Sequence, residues 1–206
     1  MPNAVDAHVG LRIVARRGVV TGLALLVLMI QGADAATIAV GVRRQAGAIE
    51  IEASTLLKAD IGTAWRVLTD YDRYVEFIPD LRSSRVVARR DGIVTVEQSG
   101  DAALWLLRIP LEITFEISEF PPARLQSRAI AGSLRTLESS YLLTPAAPGV
   151  RLEYTGRIAT GFELFGPIEQ LAVEENIARQ FQALADAIEQ RSAVGTGLPR
   201  TAAGVR

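Results

Sequence analysis

The chemistry open to this chain is that of arginine, tyrosine and carboxylate side chains. Cysteine is absent, and the single histidine is His8, near the N-terminus. The sequence therefore lacks the Ser-His-Asp and Cys-His arrangements of nucleophilic catalysis, and it lacks a His or Cys ligand set for zinc or haem. We expect no metal, no cofactor and no disulfide, and we assign no catalytic residue.

The N-terminal segment has the order of a secretory signal peptide. Basic residues precede an apolar run over residues 19–30, and Ala33-Asp34-Ala35 forms an A-x-A cleavage pattern before Ala36. The apolar run has twelve residues, whereas a helix that spans a bilayer needs about 20. We therefore expect residues 1–35 to be removed during export to the periplasm or the medium. The alternative is a protein anchored in the membrane by an uncleaved signal.

The charge and length of the remaining chain limit its partners. Removal of residues 1–35 takes away three of the 22 basic and two of the 23 acidic residues, which leaves a net charge of −2. No basic excess is present to displace counterions from a phosphate backbone, so we expect no nucleic-acid partner. A chain of this length with 49% hydrophobic residues can bury a core within one domain.

Strand periodicity changes to helix periodicity within residues 49–80. Apolar and polar residues alternate from Ile49 to Leu57, which predicts a half-buried strand. Asp60 can cap the following helix, whose apolar residues recur at helical spacing: Ile61, Ala64, Trp65 and Leu68. Asp70 or Asp72 can cap a second, shorter helix that ends before Pro79.

This segment resembles the polyketide cyclase/dehydrase and coenzyme Q-binding START-related domains of the helix-grip superfamily. The resemblance rests on three runs of residues: Ala64-Trp65-Arg66-Val67-Leu68, Asp70-Tyr71-Asp72-Arg73-Tyr74 and Glu76-Phe77-Ile78-Pro79. It implies an α+β helix-grip fold, in which a curved antiparallel sheet wraps around a long C-terminal helix and leaves an apolar cavity. Asp80 and Leu81 follow Pro79, where the quinone-binding branch usually has tryptophan and cysteine, so the resemblance implies no single ligand.

The remaining sequence predicts further strands and one long helix. Asp91-Gly92 can form a type I′ turn between two strands, and Pro121-Pro122 ends the clearly alternating strand that begins near Leu111. Three more strands are centred on residues 125–131, 137–143 and 150–158.

Gly166 and Pro167 open a long helix, whose apolar stripe should face the sheet: Val173, Ile177, Phe181, Leu184 and Ile188. We expect a lead-in over residues 36–48, the domain over 49–191 and a flexible tail over 192–206.

Small residues at inward strand positions favour a cavity between sheet and helix: Ser127, Ala129, Ala131, Ser139 and Gly156. The same residues would also let the helix pack closely against the sheet, but the resemblance favours the cavity. The candidate ligand contacts are large residues that could equally be plain core: Trp65, Phe77, Trp105, Leu107, Ile113, Phe115, Tyr141, Tyr154, Phe162, Phe165, Phe181 and Leu184.

The leading hypothesis is an exported protein that binds or carries a hydrophobic small molecule, such as a lipid, an isoprenoid quinone or a polyketide-like compound. A cofactor-independent cyclase or dehydratase is the enzyme alternative, for which the resemblance suggests Arg, Tyr or Glu groups: Arg108, Arg135, Glu138, Tyr141 and Tyr154. A third hypothesis is a protein-interaction module with a filled interior and an apolar patch near Trp105 or Phe162. The loop over residues 161–166 could contact a membrane surface transiently. The sequence makes no prediction of oligomeric state.

Overall fold

The computed structural model describes residues 37–45, 47–104, 107–159 and 166–196, without the side chains of Leu104, Leu107, Thr196 and residues 166–169. Within these ranges the elements follow one another as β1 (Ala39–Gln45), β2 (Ala48–Leu57), α1 (Ile61–Leu68), the 3-10 helix η1 (Tyr71–Glu76), β3 (Leu81–Arg90), β4 (Ile93–Leu104), β5 (Leu107–Phe120), β6 (Arg124–Gly132), β7 (Thr136–Ala146), β8 (Gly149–Ala159) and α2 (Gly166–Thr196).

The strands form one antiparallel sheet in the order β1-β2-β8-β7-β6-β5-β4-β3. The chain crosses from β2 to the far edge of the sheet through α1 and η1, and it then returns strand by strand to β8. The helix α2 contacts β1 and β2 near one edge and β4 near the other, so the sheet curves around it. This is the α+β helix-grip arrangement that the resemblance implied.

The helix α1 begins where the sequence predicted. The Asp60 carboxylate accepts a hydrogen bond from the Thr63 amide at 2.8 Å, which satisfies one of the free N–H groups of the first turn. Neither Asp70 nor Asp72 caps η1 through its side chain. Asp70 instead pairs with Arg191 at 3.1 Å, and the Asp72 carboxylate accepts from the Val86 amide at 2.7 Å. Both carboxylates therefore connect η1 to other elements.

Turn-forming residues in the sequence predicted two of the strand ends. Asp91 and Gly92 have φ angles of 50° and 77°, as a type I′ turn between β3 and β4 requires. The strand β5 ends at Phe120, directly before Pro121-Pro122. These positions confirm the predicted hairpin and the predicted strand end.

The predicted apolar stripe of α2 faces the sheet. Phe181, Leu184 and Ile188 are buried in the core beside β2 and α1. The first strand, β1, lies within the predicted lead-in over residues 36–48, and α2 continues to Thr196, beyond the predicted domain end at residue 191. No helix in the described part of the chain combines the length and the apolar character that a membrane crossing needs.

Candidate functional site

A cavity of about 320 Å³ lies between the inner face of the sheet and α2. Its volume is at the lower end of the range of about 300–1,000 Å³ that small-molecule sites occupy. Alternate residues of β5, from Ile109 to Ile117, line one wall, because every second residue of a strand points to the same face. These two residues are eight positions apart, which corresponds to roughly 26 Å of extended strand. The cavity is therefore elongated along β5.

Five of the predicted contact residues lie in the cavity wall: Ile113, Phe115, Tyr141, Tyr154 and Leu184. The first two come from β5, the tyrosines from β7 and β8, and Leu184 from α2. The structure thus brings together residues that are more than 70 positions apart in the sequence.

Three other predicted residues lie outside the described cavity wall. Trp65 packs from α1 against the core, and Phe181 is buried within that core at 3% exposure. The ring of Phe77 contacts Tyr74, with a centroid distance of 5.5 Å, and the Arg191 guanidinium lies over the Phe77 ring at 5.3 Å from its centroid. All three therefore pack in or against the core and do not line the described cavity. Trp105, Phe162, Phe165 and the side chain of Leu107 lie outside the described part of the chain.

A polar group lies in the middle of the inner sheet face. The hydroxyls of Ser127 and Ser139 are 2.7 Å apart across the β6–β7 pair, and Ser139 is paired with Gly156 on its other side. The Tyr154 hydroxyl lies over Gly156, where an added Cβ atom would be 2.6 Å from it. The glycine therefore makes room for the phenol next to the serine pair. All three hydroxyl-bearing residues line the cavity.

The cavity tyrosines are neutral hydrogen-bonding groups at physiological pH. Burial raises the pKa of Tyr154 to about 12, against a smaller lowering by hydrogen bonding with Ser139. Burial also raises the pKa of Tyr141 well above its ordinary value, because the anionic form loses its hydration. The Tyr141 and Tyr154 rings pack with their centroids 4.8 Å apart. Both residues can donate a hydrogen bond to a ligand oxygen, but neither is an activated base.

Two further tyrosines in the wall were not predicted as contacts. The Tyr71 hydroxyl donates to the Glu119 carboxylate at 3.0 Å, and the Tyr74 hydroxyl donates to the Leu68 carbonyl at 2.7 Å. Their hydroxyls are therefore engaged in the packing of η1, and their rings form part of the cavity wall. In the sequence, the pattern that could have identified these two tyrosines is their spacing of three residues on a helical segment.

Charged side chains gather at the Asp80 end of the cavity. Asp80 has a φ angle of 62°, and its two carboxylate oxygens accept from Arg108 at 2.7 Å and from Arg179 at 2.8 Å. The hydrogen bond from Arg108 is the largest cause that lowers the pKa of Asp80, opposed by burial and assisted by Arg179. Nearby, Asp101 pairs with Arg82 at 2.6 Å. Both acidic groups of the described wall are thus neutralised by arginine.

Asn176 of α2 closes an exposed edge of β4. The strand β3 covers β4 only as far as Gly100, and the Asp101 N–H donates to the Asp80 carbonyl, so the backbone of β4 has an open side beyond Asp101. The Asn176 amide group accepts from the Ala103 N–H at 3.3 Å and donates to the Ala103 carbonyl at 2.6 Å. One side chain thus replaces a neighbouring strand and holds α2 against the sheet beside the cavity.

The wall offers apolar contacts and neutral hydrogen bonds. The residues described around the cavity include no arginine, lysine, histidine or cysteine. No cluster of three carboxylates suited to a metal ion occurs in the described ranges. The arrangement can hold an apolar molecule and orient it through hydroxyl groups.

A sequence profile of the polyketide cyclase/dehydrase and lipid transport family matches residues 48–193. The chain belongs to this family. The profile covers every element from β2 to the main part of α2, including each described wall of the cavity. No curated protein sequence matches this member of the polyketide cyclase/dehydrase and lipid transport family.

Solved structures similar to this family member share its fold. The STAR-related lipid transfer protein of Xanthomonas axonopodis superposes with a TM-score of 0.62 and 18% identity, over 76% of this chain and 100% of the other. An aromatase/cyclase, Zhui, of Streptomyces sp. R1128 has a TM-score of 0.60 and 16% identity, over 77% and 99% of the two chains. A protein of Thermus thermophilus has a TM-score of 0.61 and 17% identity, over 72% and 99%. At these identities the comparison establishes the fold alone.

Proposed function

We propose that this chain is an exported protein that binds or carries a hydrophobic small molecule, such as a lipid, an isoprenoid quinone or a polyketide-like compound. The observation that carries the proposal is the 320 Å³ cavity, whose wall is formed largely by aliphatic and aromatic residues. The family description, which names both lipid transport and polyketide cyclases, agrees with this class of ligand.

Apolar burial alone can supply useful affinity in such a cavity. Burial of about 300 Å² of ligand surface at roughly 25 cal/mol per Å² corresponds to about 7 kcal/mol before the costs of association. That free energy corresponds to a dissociation constant on the order of 10 µM before those costs, so apolar contacts in a wall with few charged groups supply at most micromolar affinity. A carrier needs an affinity of this order, because it must also release its ligand.

The export part of the proposal is supported by the N-terminal sequence. The basic residues, the apolar run over 19–30 and Ala33-Asp34-Ala35 form the pattern of a cleaved secretory signal. The alternative within the proposal is a protein that keeps this segment as a membrane anchor. Either form would act outside the cytoplasm on a ligand drawn from a membrane or from the medium.

A cavity-filling variant tests the binding function. Ser127 lines the cavity, whereas its neighbour Gln126 is exposed on the other face of β6. We expect Ser127→Phe to lower the affinity for Nile red, a neutral apolar dye, at least tenfold, and Gln126→Phe to leave it unchanged. Fluorescence titration of the wild-type chain and both variants measures this. Absence of dye binding to the wild type, or equal binding by all three, would contradict a ligand function for the cavity.

A cofactor-independent cyclase or dehydratase is the second candidate. It is favoured by Tyr141 and Tyr154, whose neutral hydroxyl-bearing rings line the cavity and could polarise a ligand carbonyl. Arg135 and Glu138, which the resemblance suggested for this role, are exposed, and Arg108 pairs with Asp80. Loss of turnover in Tyr154→Phe with unchanged binding would support the enzyme.

A third candidate, an interaction module, requires a filled interior, which the cavity does not favour.

A further inference from the structure

The serine pair and Tyr154 form a hydrogen-bonding group in an otherwise apolar region of the cavity. Ser127 and Ser139 bond to each other at 2.7 Å, and the register places Gly156 beside Ser139. The Tyr154 hydroxyl lies over that glycine. Ile117 of β5 pairs with Ser127 on one side, and Ile51 of β2 pairs with Gly156 on the other. An isoleucine thus flanks the three hydroxyls on each side along the sheet.

Some hydrogen-bond donors and acceptors of this group are unused. Each hydroxyl has one donor and two acceptor positions, so the bond between Ser127 and Ser139 and the interaction of Ser139 with Tyr154 leave at least one donor and several acceptors unused. Buried polar groups are normally paired, since an unmade hydrogen bond in an apolar region costs free energy. A ligand oxygen next to the serine pair would use the remaining donor.

The charges around the cavity restrict the ligand further. The described wall contains no basic side chain, and its carboxylates, Asp80 and Asp101, are already paired with arginines. A ligand carboxylate next to the serine pair would therefore be buried with no basic side chain of the described wall beside it, which is strongly unfavourable. A neutral oxygen meets no such penalty.

We propose that Ser127, Ser139 and Tyr154 bind one oxygen atom of a neutral ligand, so that the cavity selects alcohols, ketones or quinones over hydrocarbons and over carboxylates. This inference rests on the proposed ligand-binding function and names the chemical class of the ligand. The selecting group is the cluster of hydroxyls on β6, β7 and β8.

Competition among three probes of equal chain length tests the selection. Nile red bound to the chain from Ala36 is displaced with 1-dodecanol, dodecane and dodecanoate. We expect the wild type to bind dodecanol about fivefold more tightly than dodecane, as one net hydrogen bond would give, and at least tenfold more tightly than dodecanoate. In Ser127→Ala/Ser139→Ala/Tyr154→Phe the alcohol-to-alkane ratio should fall to about one, with the affinity for dodecane retained.

Ser140→Ala is the matched control, because its hydroxyl donates to the Leu125 carbonyl and it is adjacent to Ser139. This variant should keep the wild-type ratio. Equal affinity of the wild type for dodecanol and dodecane, tighter binding of dodecanoate, or an unchanged ratio in the triple variant would overturn the inference while the proposed binding function stands. Failure of the wild type to bind Nile red or any of the three probes would overturn both.

Discussion

The Tyr154 hydroxyl lies over Gly156, so closely that a Cβ atom at position 156 would be 2.6 Å from it. The two residues are second neighbours on β8 and therefore share the inner face of the sheet. The absence of a side chain at residue 156 lets the phenol lie along the strand. The conformation of Tyr154 and the space available beside it thus depend on one glycine.

Replacement of Gly156 by alanine should disturb the cavity. The added methyl group would displace the Tyr154 ring, so we expect Gly156→Ala to lower the free energy of unfolding by about 1–3 kcal/mol and the affinity for Nile red severalfold. Urea unfolding and dye titration measure the two effects. Gly41→Ala on β1 is the control, because no atom lies within 4 Å of its added Cβ. Wild-type affinity in Gly156→Ala would show that this glycine does not shape the site.

Asp80 should contribute a pH-dependent part of the stability. Hydrogen bonds from Arg108 and Arg179 lower the pKa of Asp80, so its contribution is present above the unfolded-state pKa of about 3.9 and is lost as the pH falls through the lower folded-state pKa. We expect Asp80→Asn to lower Tm by about 2–4 °C at neutral pH, and the difference to shrink below about pH 4. Asparagine tolerates the positive φ angle, so the variant tests the charge.

The exposed pair Arg85–Glu97 provides the control for Asp80. Its charged atoms are 2.8 Å apart, but the two side chains are 72% and 49% exposed, so solvent screens the pair. Glu97→Gln should change Tm by less than about 1 °C, on the scale expected for an exposed pair. A difference between Asp80→Asn and wild type that stays constant from pH 7 to pH 3 would contradict the assigned role of Asp80.

Asn176 should protect the β4 backbone from solvent exchange. Its side chain accepts from the Ala103 N–H and donates to the Ala103 carbonyl. We expect Asn176→Ala to accelerate amide hydrogen exchange at Ala103 at least tenfold while the amide of Val94, in the buried part of β4, keeps its rate. Exchange measured by NMR tests this, and an unchanged rate at Ala103 would show that α2 does not cover the strand edge in solution.

The N-terminal sequence predicts the mass of the exported form. Intact-mass measurement of protein recovered from the periplasm or medium should give a chain that begins at Ala36. Replacement of both Ala33 and Ala35 by larger residues should block cleavage, while Ala39→Val, downstream of the site, should not. Recovery of the full-length chain in the membrane fraction would instead indicate a retained anchor.

Local sequence patterns were sufficient for most elements of the fold. Strand alternation predicted β2, and the side chain of Asp60 marked the start of α1, because both depend on neighbouring residues. The cavity wall was harder to predict. Helix periodicity shows that Trp65 and Phe181 face inward, but it does not distinguish a packed core from a cavity. Asp80 bonds to arginines 28 and 99 residues distant, and Asn176 bonds to Ala103, 73 residues distant, so no local pattern indicates these partners.

Native mass spectrometry with organic extraction tests the central claim most directly. The chain from Ala36 would be purified without detergent from the compartment in which it accumulates. We predict one stoichiometric apolar adduct, released by organic solvent and absent from Ser127→Phe prepared in parallel. An apo mass that remains unchanged after addition of lipids and quinones would contradict the claim that the cavity binds a hydrophobic small molecule.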